Sequence, residues 1–193
     1  VGIDRAQVHD ITSFSVVIPD EDGGATVFWV NLLPQKTVEN AGDYLKSVYH
    51  KASESGDLRL VMTPTVRDED IKRVIDELDS MFDVEQFCYD PWHFREIAEE
   101  LEGLGYPMLS VSQGTGNMSE PAKKLEGLIK EEMLRYDSDL FVFACSCALV
   151  TMTRQNNLQV FRDNPKTEKI DPLIALVIAL SGATLGKVER NIY

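Results

Sequence analysis

Apolar and β-branched residues dominate positions 12–33, broken only by Pro19-Asp20-Glu21-Asp22-Gly23-Gly24. Two such runs, 12–18 and 25–33, around an Asp-Gly-Gly turn predict a β-hairpin. A short apolar stub at 1–4 precedes it, starting so abruptly that it reads as cut from something longer. After Pro34 the period lengthens to that of a helix. Thr37 is placed to cap a helix through about Ser55, with Ala41, Leu45, Val48 and Tyr49 on one stripe and Gly56 as its stop. The helical pattern returns over 67–81 through Ile71, Val74, Ile75 and Leu78. Residues 84–89 read as a short strand, 94–104 as a helix, 106–111 as a strand and 112–117 as a polar, glycine-bearing loop. A helix is predicted over 119–134. The apolar run 141–153 fits helix or strand equally. A strand over 158–162 and an apolar helix over 172–185 close the chain. A three-strand meander followed by alternating helices and strands predicts an α/β fold: a mixed sheet with helices on both faces.

Composition narrows the class. The chain has 193 residues, 44% hydrophobic and 26% charged, which excludes disorder and predicts one domain spanning 1–193. The longest apolar run, 173–180, is too short to span a bilayer. No basic stretch precedes Gly2-Ile3-Asp4, so no secretory leader is expected. Cys88, Cys145 and Cys147 lack metal-finger or CxxC spacing and read as small buried side chains in a reducing compartment. The formal charge of −13 argues, taken alone, against a nucleic-acid partner. Its distribution changes that reading. Residues 1–100 hold 9 basic and 21 acidic side chains, whereas 101–193 hold 10 and 11. A polyanion would therefore meet the C-terminal half, or a cleft beside it.

Three aspartates stand at the ends of predicted elements. Asp90-Pro91 and Asp171-Pro172 both have the form of a helix start, Asp as cap and Pro in the first turn. Asp4 has no such simple account, because a carboxylate inside an apolar strand is rarely buried without a partner. If the first strand is central and neighbours 84–89, Asp4 and Asp90 share the crevice at the strands' carboxyl ends. Carboxylates converging there repel one another unless a cation intervenes. Oxygen ligands without His or Cys select Mg²⁺ or Mn²⁺. Two such ions are the common device for in-line phosphodiester cleavage.

Four stretches then occur in order: Gly2-Ile3-Asp4 with Asp10-Ile11-Thr12-Ser13; Tyr89-Asp90-Pro91-Trp92; Gln113-Gly114 with Met118-Ser119-Glu120-Pro121-Ala122-Lys123-Lys124-Leu125-Glu126; and Lys169-Ile170-Asp171-Pro172-Leu173-Ile174-Ala175-Leu176. Nearly the whole chain thus resembles the C-terminal nuclease domain of tailed-phage terminase large subunits, the DNA-packaging motor proteins. The resemblance implies a ribonuclease H-like fold. It also implies a two-metal endonuclease, with two Mg²⁺ or Mn²⁺ ions, that cuts concatemeric phage DNA into genome lengths. The family's catalytic and metal-binding acids correspond to Asp4, Asp90 and Asp171. Asp10 matches a further aspartate near the metals, although alone it also reads as a turn cap before Thr12. The implied partners are double-stranded DNA and, in the full motor, the small terminase subunit and the portal. The implied setting is the host cytoplasm, with no membrane and no secretion.

Residues 112–117 can offer backbone N–H groups to a phosphate, and the resemblance puts Gln113 and Gly114 near DNA. Lys123, Lys124 and Lys130 follow on the next helix, where an ordinary solvated face is the plainer reading. Lys169 is a candidate to steady the scissile phosphate or lower nearby carboxylate pKa values; otherwise it is a solvent-facing lysine. His93 reads as a polar surface residue, and Trp29 and Trp92 as core or cleft-edge aromatics. Two departures from the family stand out. No GxxxxGK[ST] motif is present, so the ATPase half is expected to be absent. Cys147 also stands where the family usually has Asn. Two other readings fit the same residues: another ribonuclease H-like nuclease, such as a junction resolvase, and a non-catalytic docking module.

Overall fold

The structure is a computed structural model that describes residues 1–6, 10–92 and 94–185. His93, read above as a surface residue, lies outside the described residues. Strands β1 (Gly2–Asp4), β2 (Thr12–Pro19) and β3 (Ala25–Pro34) form the expected antiparallel meander. The β2–β3 turn closes as Gly23 N–H donates to the Asp20 carbonyl, with Gly23 at φ 85. That left-handed angle favours glycine, which has no Cβ to clash.

Next come α1 (Gln35–Glu39), α2 (Asp43–Ser55), β4 (Leu58–Val61), α3 (Asp68–Met81), β5 (Phe87–Tyr89), α4 (Arg95–Gly103) and β6 (Met108–Ser110). They are followed by α5 (Thr115–Lys130), β7 (Leu134–Tyr136), α6 (Asp139–Cys147), β8 (Leu149–Met152), β9 (Leu158–Phe161) and α7 (Asp171–Leu185). The main sheet runs β4-β3-β2-β1-β5-β6, with β7 also on β3. Strand β1 is parallel to β5, β5 to β6, and β3 to both β4 and β7. The mixed α/β architecture expected from the sequence is the one found.

Side-chain alternation divides the two faces. Ile3, Phe14, Val16, Val30 and Phe87 pack with α3 and α4 through Ile71, Ile75, Leu78, Ile97 and Leu101. The other face carries Val27 and Trp29, which pack against α5, α6 and α7 through Leu125, Phe141, Leu173 and Val177. Trp29 stacks on Phe141 at 4.5 Å and its indole N–H donates to the Pro172 carbonyl at 2.9 Å. Under α7 the sheet is lined by small residues. Gly2 pairs with Ser15, and a Cβ at Gly2 would collide with the Ala175 carbonyl and come within 2.9 Å of Ala179 Cα. This close seat fits a helix that is apolar on nearly every side.

The structure differs from the sequence expectation in four places. The helix expected over 37–55 is broken into α1 and α2, because Gly42 is extended and serves as the second helix's N-cap. Strands β4 and β7 were not anticipated. Each is short and is made a strand by parallel pairing with β3, a non-local partner. Helix α5 begins at Thr115 behind Gly114, four residues earlier than Ser119, and keeps Pro121 inside it. The ambiguous 141–153 run divides: Ser138 caps α6 by accepting from the Phe141 N–H at 3.0 Å, and β8 then pairs with β9 as a separate hairpin.

Candidate functional site

The parallel strands β1, β5 and β6 end side by side. Ile3 is in register with Tyr89, and Tyr89 with Ser110. Asp4 and Asp90 therefore emerge next to each other at the sheet's carboxyl edge, with the 111–114 loop beside them. Asp4 pairs with Ser13, and like Gly2 two residues earlier it is on the sheet face that α7 covers. Asp171 is the first residue of α7. Residues distant in sequence thus converge because one helix crosses the central strands.

The electrostatics are those of crowded acids. Burial, then the Asp171 and Asp90 carboxylates, push Asp4 well above the ordinary carboxylate range, against a hydrogen bond from Gln113. Gln113 Nε2 donates to Asp4 Oδ1 at 3.2 Å. Asp171 is only 6% exposed and is raised to about 7, by burial first and then by Asp10, with Arg162 and Lys169 opposing. Its Oδ2 is buried with no hydrogen-bond partner among the described residues; Arg162 Nη1 lies 3.7 Å away. Asp90 is half-buried and its Oδ1 accepts the Trp92 N–H at 3.1 Å, an Asx turn.

Asp10 is held by two cations. Arg162 Nη2 donates to Oδ2 at 2.8 Å, and the Lys169 ammonium donates to Oδ1. Lys169 is 5% exposed and also donates to the Pro165 carbonyl at 2.7 Å, so it does not face solvent. Of its two functional readings, the geometry matches the lowering of a neighbouring carboxylate pKa. Gly114 caps α5 in extended conformation, and Lys123 and Lys124 lie further along that helix. Lys123 pairs with Glu120 at 2.7 Å and Lys124 is exposed.

Arg162 was not singled out from the sequence, yet it joins Asp10 to Asp171. The β8–β9 hairpin delivers it, and Leu158 N–H ties that hairpin to α5 by donating to buried Ser119 Oγ at 2.9 Å. A cation ending a strand predicted at 158–162 was the available signal. The three cysteines form no disulfide; burial pushes Cys88 up and Cys145 to about 11, which leaves both poor nucleophiles. Cys147, at the end of α6, packs beside the α2–α6 cluster.

The donor set suits a hard divalent cation: carboxylates, two of them with raised pKa values, and one buried oxygen with no hydrogen-bond partner among the described residues. The acids stand near one another at the carboxyl edge of the sheet but do not form a closed cage. Among the described residues no three His, Cys, Asp or Glu side chains are already grouped to hold an ion. No helix among the described residues is long and apolar enough to cross a membrane.

Residues 1–187 match the family described as "Terminase large subunit, endonuclease domain". The chain is 25% identical over 193 residues to the "Terminase, large subunit" of Enterobacteria phage HK97, covering 98% of this chain and 38% of that protein. It therefore spans well under half of that relative's length. Its backbone matches the crystal structure of the HK97 bacteriophage large terminase with TM-score 0.82 at 22% identity, over 93% of this chain and 38% of that one. It also matches the large terminase nuclease of thermophilic phage G20c with bound magnesium, with TM-score 0.60 at 16% identity, over 93% and 78% of the two chains. These structures share one fold, which is ribonuclease H-like.

Proposed function

The chain belongs to the terminase large subunit endonuclease domain family, and on that premise we propose that it is a metal-dependent endonuclease that cleaves concatemeric phage double-stranded DNA during genome packaging. The observation that carries the reading is the pair Asp4 and Asp171, both pushed toward protonation at one mouth, with Asp171 Oδ2 buried and unsatisfied. Asp4, Asp90 and Asp171 would hold two divalent ions, Mg²⁺ or Mn²⁺, which when bound supply the Lewis acidity for in-line phosphodiester hydrolysis. The relative from phage G20c, with its bound magnesium, supports that choice of ion.

The chain's own residues have separate tasks. Gln113 fixes the Asp4 carboxylate through its 3.2 Å hydrogen bond. Arg162 and Lys169 hold Asp10 and moderate the negative charge around Asp171. Gln113, Gly114, Lys123 and Lys124 form the DNA-facing side in this reading, with Gly114 leaving backbone room for a phosphate at the start of α5. Of the two roles the sequence offers Lys169, its pairing with Asp10 supports the lowering of nearby carboxylate pKa values over a direct contact to DNA. No base-reading motif is visible in the sequence, so cutting would be nearly independent of sequence. The domain would act within a longer motor protein carrying an ATPase domain, with the small terminase subunit and the portal as partners.

Plasmid nicking in Mn²⁺ tests the assignment. Asp4→Asn and Asp171→Asn should each lose at least about a hundredfold in rate, because each removes an anionic ligand, while circular dichroism stays that of the parent. Undiminished nicking by both variants would overturn it.

A further inference from the structure

A cleft of about 90 Å³ opens between α5, β9 and α7. One water needs roughly 10–15 Å³, so the cleft is sized for a ring inserted at its opening rather than for a lone ion. Buried Leu158 and Val177 line its depth, half-buried Met118 and Ile174 its sides, and exposed Gln113 and Gln159 its opening. Leu158 N–H donates to buried Ser119 Oγ at 2.9 Å, which clamps β9 to α5 and leaves the cleft preformed. Two of its residues also reach the acids. Gln113 Nε2 donates to Asp4 Oδ1 at 3.2 Å. Ile174 follows Asp171 by three positions on α7, a spacing that sets two side chains roughly 5–6 Å apart on one face.

The lining selects the occupant. Among the described residues that line the cleft none is charged, so nothing there would hold a phosphate. A purely aliphatic group would leave two carboxamides unpaired at the opening. Each carboxamide offers two N–H donors and an acceptor oxygen, and Gln113 commits one N–H to Asp4. A flat ring with donors and acceptors along its edge meets both demands, its face against apolar side chains and its edge against the amides. We infer that the cleft is a nucleobase subsite: one base of the DNA strand at Asp4 and Asp171 turns out of its stack and enters between Met118 and Ile174, with its edge bonded to Gln113 and Gln159. Apolar sides accept any base face, in keeping with cutting that is nearly independent of sequence. The inference rests on the nuclease reading for the strand, and on the cleft alone for the base.

The test needs no metal. Methyl NMR of the chain in EDTA is followed during titration with thymidine to about 50 mM, enough to reveal millimolar affinity. The Met118 and Ile174 methyl signals should move along a saturating curve, while Ile75, on the opposite face of the sheet, stays in place. No movement, or equal movement with deoxyribose 5-phosphate, overturns the inference. Ala122→Leu, which fills the cleft, should abolish the response. Gln159→Ala, an exposed change that spares the core, should weaken it at least about twofold. An unchanged affinity in Gln159→Ala also overturns the inference, and this variant decides alone should Ala122→Leu fail to fold. Fluorescence anisotropy separates a base on a strand from a free nucleoside. A single-stranded thymidine octamer, which avoids the cost of unpairing, should bind at least about fivefold tighter than an abasic octamer of equal charge. Equal affinities overturn the assignment to DNA. If thymidine saturates the cleft but the parent chain nicks no plasmid in Mn²⁺, the nuclease reading fails and the base site stands; nicking without a thymidine response leaves that reading and overturns this inference.

Discussion

Asp171 shows how one side chain's surroundings set a property of the whole site. Buried at the start of α7 beside Asp10, it holds its proton to about 7, far above the 3.8 of a free aspartate. Asp4 moves in the same direction. A carboxyl with a raised pKa in the folded chain binds more protons there than in the unfolded chain. Its contribution to stability is therefore present at low pH and is lost as pH rises through its folded value. The metal-free protein should lose stability between about pH 4 and pH 7 from Asp171, with Asp4 acting in the same direction, and Asp171→Asn should flatten that slope. A divalent ion competes with the same protons. The melting rise at fixed Mn²⁺ should accordingly grow from pH 5.5 to pH 8, which scanning fluorimetry across buffers would show. A rise that shrinks with pH would contradict the assignment of Asp4 and Asp171 as ligands.

At the scale of elements, the site depends on how closely α7 seats on β1 and β2. The seat exists because Gly2 offers no side chain and Ser13 and Ser15 offer small ones. A Cβ at position 2 meets backbone atoms of the helix, which cannot swing aside as a flexible side chain would. Gly2→Ala should then cost about 1–3 kcal/mol or more, read as a lower urea midpoint. Because α7 carries Asp171 and β1 carries Asp4, the same substitution should separate the two acids and weaken the Mn²⁺ response. Stability within about 0.5 kcal/mol of the parent would show that the helix shifts freely. The β8–β9 hairpin is the other element that builds the site. Its β8 strand is exposed along its whole length, yet through Ser119 and α5 it brings Arg162 to the acids.

At the scale of the molecule, the charge of −13 becomes a statement about affinity. The excess sits in residues 1–100, with α3 and α4 contributing Asp68, Glu69, Asp70, Glu96, Glu99 and Glu100. The half that carries α5 and α7 is nearly balanced. Among the described residues, Lys123 is paired with Glu120, and Lys169 is buried on Asp10. We expect binding of this chain to linear duplex to be weaker than about 10⁻⁶ M at physiological salt, and shallow in its salt dependence, because few counterions are released. Fluorescence anisotropy across 50–300 mM salt would measure this. Tight binding with a steep slope would contradict this expectation. Weak binding would fit the proposed reading, in which another part of a longer motor protein holds DNA on this acidic domain.

The sequence by itself determined the alternation of strands and helices, the β2–β3 hairpin with its glycine turn, and the three aspartates at element ends. These are local matters: period, turn chemistry and caps are written within a few residues of where they act. It did not determine β4 or β7, whose few residues become strands only when β3 lies beside them. Nor did it show the hub around Asp10, since Arg162 and Lys169 reach it across 152 and 159 residues of chain. Tyr49 reads as one position of a helical stripe, and nothing local reveals that its hydroxyl is buried without a partner among the described residues. Tertiary structure decided all of these. Burial and the crossing of α7 over the central strands set which charges face each other at low dielectric, and only that proximity gives these aspartates raised pKa values, the property on which the proposed cation site rests.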